Sequence, residues 1–218
     1  MSTADYSAIV PFALHFDGTT WRQVAPLAAP GNSASLDKVT VASSGVASAV
    51  GGYATQVMDR NGVFHSRYSQ LVARWDGRAW TSLRSTGIPA DAQLRDVAVA
   101  DADVWVVGNR ANEDGAPVEA LAWRYTGTGW TSYRIDPHPG AILNGVHATS
   151  PSEVWAAGTP GTDGAGDGVL LTRWDGRRWK PAFRIPAVPA LRGLADVTTA
   201  GGHVFSVGGT TQTLGIQN

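Results

Sequence analysis

Apolar and polar positions alternate along this chain in short runs that break and restart. In LRDVAVADADVWVVG (94–108), Val97 and Val99 alternate with smaller residues, the pattern stops at Ala102-Asp103, and it resumes over Val104–Val107. A period of two marks a strand, and a two-residue interruption that restarts at once marks strand, turn, strand. No segment sustains a 3.6-residue apolar period, so helices are not expected. A second pattern is aromatic. VARWDGRAW (72–80) sets Trp75 and Trp80 on either side of Asp76-Gly77. Asp-Gly between such runs predicts a tight hairpin turn, because Gly accepts positive φ and Asp tolerates it with little strain.

Both patterns repeat. The aromatic phrase occurs as His15-Phe16-Asp17-Gly18-x-x-Trp21, Arg74-Trp75-Asp76-Gly77-x-x-Trp80, Arg124-Tyr125-Thr126-Gly127-x-x-Trp130 and Arg173-Trp174-Asp175-Gly176-x-x-Trp179, its last Trp recurring after 59, 50 and 49 positions. Between the copies come LDKVTVASSGVASAVG (36–51), LRDVAVADADVWVVG (94–108), LNGVHATSPSEVWAAG (143–158) and LADVTTAGGHVFSVG (194–208). One repeat therefore holds four short antiparallel strands, here a (36–42), b (46–51), c (68–75) and d (79–84) in the first. The chain opens on a c–d pair (about 9–25) and closes on an a–b pair (194–208). Joined, the two make a fourth unit and remove the strand edges that a linear array exposes.

A repeat of about 50 residues built from four strands resembles the β-propeller superfamily, with kelch-like blade spacing and the four-bladed ring of hemopexin-type domains. The resemblance is to architecture and covers nearly the whole chain. It implies an all-β single domain over residues 1–218, a four-bladed β-propeller of four-stranded antiparallel blades. Blade 1 is about 36–84, blade 2 about 94–135, blade 3 about 143–184, and blade 4 about 194–209 plus 9–25. Closure comes from the N-terminal c–d strands pairing with the C-terminal a–b strands. The hairpins are not Asp boxes, which carry one residue between Asp and Gly.

Composition narrows the partners. Apolar residues make up 43% of the chain and charged residues 16%, which suits a globular core and not a disordered or coiled-coil chain. With 17 basic against 18 acidic residues there is no electrostatic footprint for nucleic acid or anionic lipid. The chain contains no cysteine, which excludes disulfides and Cys-ligated zinc or iron–sulfur sites. The first 21 residues lack a basic segment followed by an apolar one, and no run approaches the roughly 18 apolar residues of a membrane helix. A soluble cytoplasmic protein is expected.

Large rings at one repeat position read as wedges between blades: Trp21, Trp80, Trp130 and Trp179; Phe16, Trp75, Tyr125 and Trp174; Trp105, Trp155 and Phe205, where blade 1 has Ser48. Arg74, Arg124 and Arg173 read as stacking or ion-pairing partners. Function is expected where the blades differ, and long b–c and d–a connections make one face the candidate. Its longest connection, 52–70, carries Tyr53, Asp59, Arg60, His65, Arg67 and Tyr68. With His138 and the non-repeating Trp123, the residues Tyr53, Asp59, His65, Arg67 and Tyr68 are the candidate ligand-binding set. DGAGDG (163–168) lacks the spaced acids of a calcium loop and reads as a turn. On strand a, Val39, Val97, Val146 and Val197 are expected to pack between blades. The other parity then turns Lys38, Asp96, Gly145 and Asp196, followed by Thr40, Ala98, His147 and Thr198, toward a central channel. Asp96, Asp196, His147 and Lys38 converging in a narrow tube are the candidate catalytic set, since such surroundings shift proton affinities. A hydrated structural plug is the competing reading.

No cofactor is expected. A channel-bound metal ion is disfavoured, because its ligands would come from separate strands with no spacing motif. No nucleophile elbow, phosphate loop or dinucleotide fingerprint occurs. The reading is a single-site small-molecule-binding propeller, in its catalytic form a cofactor-independent acid–base enzyme (lyase, isomerase or cyclase) at the channel mouth. The alternatives are a carbohydrate-binding, lectin-like module and a protein-interaction platform.

Overall fold

The computed structural model describes residues 9–24, 27, 31, 33–136, 138–161, 168–182 and 191–210. All of DGAGDG except its last residue lies outside them. The strands run β1 (Leu14–Phe16), β2 (Trp21–Gln23), β3 (Ser33–Val41), β4 (Ala47–Met58), β5 (Phe64–Trp75), β6 (Trp80–Leu83), β7 (Ala92–Ala100), β8 (Asp103–Ala111), β9 (Pro117–Tyr125), β10 (Trp130–Asp136), β11 (Ile142–Ser150), β12 (Glu153–Thr159), β13 (Leu170–Trp174), β14 (Trp179–Pro181), β15 (Leu191–Ala200) and β16 (His203–Thr210). Among the described residues there is no helix. Three four-stranded antiparallel sheets, β3–β6, β7–β10 and β11–β14, follow chain order, and β1–β2 and β15–β16 are two-stranded sheets. The all-β class and the four-strand repeat expected from the sequence are therefore present. The chain divides into two compact units, Met1–Ser85 and Thr86–Asn218.

The pairing expected to close the ring is not seen: among the described residues, β1–β2 and β15–β16 are separate two-stranded sheets. Instead each half lies against a four-stranded sheet of its own unit. In the second unit β15 packs on β11 and β12. In the first, His15 stacks on Trp75 with ring centroids 5.8 Å apart.

The Asp-Gly phrases do make turns, by a mechanism other than the one expected. Trp75 pairs with Trp80, so the loop is the four residues 76–79, and only Gly77 has positive φ, at 99°. Asp76 holds the turn with its side chain, Oδ1 accepting the amides of Arg78 and Ala79 at 2.9 Å each. Asp17 and Asp175 accept the corresponding amides of their loops.

A second repeated device is a bulge. Register slips by one residue between Leu36 and Lys38, Leu94 and Asp96, Leu143 and Gly145, and Leu194 and Asp196. Opposite each bulge stands the glycine that ends the second phrase. A Cβ on Gly51, Gly108, Gly158 or Gly208 would lie 1.9–2.2 Å from the carbonyl oxygen of Ser35, Gln93, Ile142 or Gly193. The bulge presses its backbone onto that point, and only glycine leaves room.

In the second unit, sheets β7–β10 and β11–β14 share one core. Trp105, fully buried, meets Tyr133, Trp174 and Trp179 at ring centroid distances of 5.2–5.7 Å. The Arg124 guanidinium lies over both Trp105 and Trp174 and is ion-paired to Asp103. The wedge reading of these rings thus holds within this unit. Ala98 is also buried in this core, although its parity was expected to face a channel. Val97 and Ala98 are both 3% exposed, so both parities of β7 are buried.

Candidate functional site

The candidate catalytic residues of the second unit gather around β11. Asp96 Oδ2 accepts the backbone amide of Val146 at 2.8 Å, which ties β7 to β11. Asp196, on β15, lies against Gly145, where a Cβ would sit 2.5 Å from its Oδ1. That oxygen accepts the Val197 amide at 2.7 Å. Half-buried His147 has its pKa pushed down by burial, and the charge of Asp196 opposes the shift. Asn144 Nδ2 donates to the Leu194 carbonyl at 2.8 Å and ties β11 to β15. Asp96 and Asp196 thus both accept backbone amides, and Asp96 joins neighbouring sheets. Lys38, on β3 in the first unit, is exposed. Among the described residues no group of three or more His, Asp or Glu side chains is arranged to hold a metal ion.

A larger polar network occupies the end of sheet β7–β10. Arg110 binds Asp91 through Nη2 at 2.7 Å and Glu119 through Nη1 at 3.1 Å, and Arg134 Nε binds Glu119 at 2.7 Å. Fully buried Asn109 donates to Gln93 at 3.2 Å and accepts from Arg95 Nε at 3.1 Å. Burial draws the Arg95 pKa below its usual value. This network was not foreseen, because Asp91, Gln93, Asn109, Arg110, Glu119 and Arg134 lie outside the repeat phrases, and Arg95, inside one, has no like residue at its position in the other copies.

His138 is fixed by Asp136. Its Nδ1 lies 2.7 Å from Asp136 Oδ1, which also accepts the His138 amide, while Asp136 Oδ2 accepts the Gly161 amide at 3.0 Å. Burial raises the Asp136 pKa, but these hydrogen bonds outweigh it and the net shift is downward. Trp123 is fully buried, so it presents no surface to a ligand and belongs to packing.

The segment 52–70 is not a loop. It is two paired strands, β4 running to Met58 and β5 starting at Phe64, joined by a tight turn. Alternation over 64–70 was overlooked because polar residues occupy both faces of this exposed ribbon. Asp59 organises the turn: Oδ1 accepts the Asn61 and Val63 amides at 2.8 and 2.9 Å, and Oδ2 lies 3.0 Å from His65 Nε2. The bond to His65 and the amide bonds hold its carboxyl below the usual range. His65 and Arg67 point to one face of the ribbon and Tyr68 to the other, as their partners Val57, Thr55 and Ala54 require.

That second face forms a cleft of about 430 Å³, whose lining includes Tyr53 and Tyr68 from the candidate ligand set. Gly52, which has no side chain, and Ala54 line it on the face they share with Tyr68. Around it stand Ser33 and Ser35 of β3, Asp37 at the bulge, Gln56 and Ser66. Gln56 Nε2 donates to Ser66 Oγ at 3.0 Å. Tyr68 is 74% exposed. The serines, Gln56 and Asp37 were missed, although Asp37 was findable: the bulge positions read Asp37, Arg95, Asn144 and Ala195, a place in the repeat where nothing repeats.

No protein-family model matches the chain, and no curated protein is significantly similar to it in sequence.

Proposed function

We propose that the chain is a four-bladed propeller that binds one small molecule, at the cleft beside the β4–β5 ribbon. The observation carrying the binding site is the cleft itself, whose lining joins the exposed Tyr68 and Ile9 and the small residues Gly52 and Ala54 to several polar side chains. The site is single because its residues do not recur. Asn109 stands in β8 where Gly52 stands in β4, by the alignment of their bulges. Binding suits the geometry better than acid–base turnover by Asp96, because that carboxylate is already hydrogen-bonded to Val146.

Three observed registers support ring closure. Ser48 faces Arg74, Trp105 faces Arg124, and Trp155 faces Arg173. The repeat extends this to Phe205 facing His15, which places Val204 opposite Phe16 and Ser206 opposite Leu14. His15 on Trp75 also mirrors Arg124 on Trp174. The test of function is a calorimetric and NMR screen of the full chain against a small-molecule library. One-to-one binding that is lost in Tyr68→Ala is expected, and four equivalent sites or none would overturn the proposal.

A second reading rests on one observation. At the ribbon tip Val57, Met58, Val63 and Phe64 are 45–66% exposed, a surface that suits a protein partner. A stoichiometric partner captured by the native chain and lost in a Met58→Ser/Phe64→Ser variant would favour it over small-molecule binding.

A further inference from the structure

We infer that the cleft takes a neutral, hydroxyl-rich ligand, a saccharide ring, which rests on the small-molecule reading above and names its ligand class. The side chains around the cleft fix the chemistry. Ser33, Ser35 and Ser66 each donate and accept, Gln56 does both through one amide, and Asp37 is the single charged group among the described lining residues. Among the described residues no Lys, Arg or His lines the cleft, so an anion finds no counter-charge from them. A purely apolar ligand would strip water from these polar groups without replacing their hydrogen bonds.

A pyranose matches both halves of the lining. Its axial C–H face is apolar and flat, and Tyr68 offers an exposed ring of matching size. Its equatorial hydroxyls act as donor and acceptor together, and adjacent pairs of them can both donate to the two oxygens of Asp37. The placement follows from register. Tyr68 pairs with Ala54, and Ser66 with Gln56, so ring and amide project from one face of the ribbon, the face of Gly52 and Ala54. Ser33 and Ser35 reach the same face through their pairing with Ala54 and Gly52. A shallow, solvent-open cleft of this kind binds weakly, with a Kd on the order of a millimolar for one ring.

The competing class is a small organic cation, which Asp37 and the tyrosine ring would also attract. The experiment is an amide-resolved NMR titration of the full chain with methyl glycosides, cellobiose, tetramethylammonium chloride and sodium phosphate, with dextran and xylan retention run alongside. Saccharides are expected to shift the amides of 33–37, 52–56 and 66–68. Tyr68→Ala should weaken them at least tenfold and Asp37→Asn several-fold, while Tyr68→Phe, which keeps the ring, retains binding. Retention on dextran or xylan with little response to methyl glycosides would assign the site to a polymer chain rather than a free sugar. Shifts at the same amides from tetramethylammonium or phosphate, with none from any sugar, overturn the saccharide assignment and leave the small-molecule site standing. Unmoved cleft amides with these probes and with the library overturn both.

Discussion

The same repeat position has opposite surroundings in two parts of this molecule. In the central sheets Val97 and Val146 are 3% and 5% exposed, whereas Val39, their counterpart on β3, is 70% exposed. Trp105 and Val107 are fully buried, and their counterparts on β16, Phe205 and Val207, are 60% and 62% exposed. Residue type is alike at each pair, so the difference lies in the neighbour. Val146, Trp105 and Val107 lie in the core shared by β7–β10 and β11–β14, whereas Val39, Phe205 and Val207 belong to faces and edges that the proposed fourth sheet would cover. Burying a side chain of this size is worth roughly 1.5–3 kcal/mol, which gives the terminal halves a strong reason to join.

That contrast can be broken in several places. The largest effect is expected from removing residues 1–24, which deletes β1 and β2. If these strands complete the fourth sheet, the truncated chain loses solubility and cooperative melting; a monomer that melts like the full chain would leave β1–β2 an appendage. Next are matched substitutions. Trp105→Ala should cost about 3–5 kcal/mol in denaturant unfolding. Phe205→Ala should approach that loss if the ring closes, and stay within about 0.5 kcal/mol if the residue is exposed in solution.

Gly108→Ala sharpens the other side of the comparison, since its Cβ would lie 1.9 Å from the Gln93 carbonyl oxygen. A loss of about 1–3 kcal/mol is expected; Gly208→Ala, with its Cβ 2.2 Å from the Gly193 carbonyl oxygen, should match it if the ring closes and cost less if β15–β16 stays a two-stranded sheet. A smaller effect concerns pH. Burial holds His147 below its unfolded value of about 6.5. As pH falls below that value the unfolded chain takes up a proton before the folded one, so this contribution is complete above it and is lost toward the lower, folded pKa. His147→Gln should flatten that part of the stability curve, and an unchanged slope would place the imidazole in solvent. Tyr68→Ala is expected to leave the melting temperature unchanged within about a degree and to change binding alone.

The repeats made the strand order within each sheet, the hairpin turns and the wedges Trp105 and Trp174 legible from sequence, because each is a recurring local pattern, whereas Phe16, Trp21 and Phe205, expected as wedges, are 47%, 67% and 60% exposed. Bulges were less visible. A one-residue slip leaves no mark in apolar alternation, and the glycine opposite it looks like ordinary turn punctuation until the carbonyl facing it is known. The parity of β7 was misjudged for a related reason: alternation separates two faces but does not say that both are covered, as Val97 and Ala98 are. For the candidate site, Tyr53 and Tyr68 were found as departures from the repeat, whereas Ser33, Ser35 and Gln56 acquire meaning only through cross-strand register.

The most direct test of the account is whether β16 pairs with β1 in solution. Cross-strand NMR contacts joining Val204 to Phe16 and Ser206 to Leu14, with slow amide exchange along β16, are the predicted result. Absence of those contacts, with β16 amides exchanging as fast as a free strand edge, would contradict it.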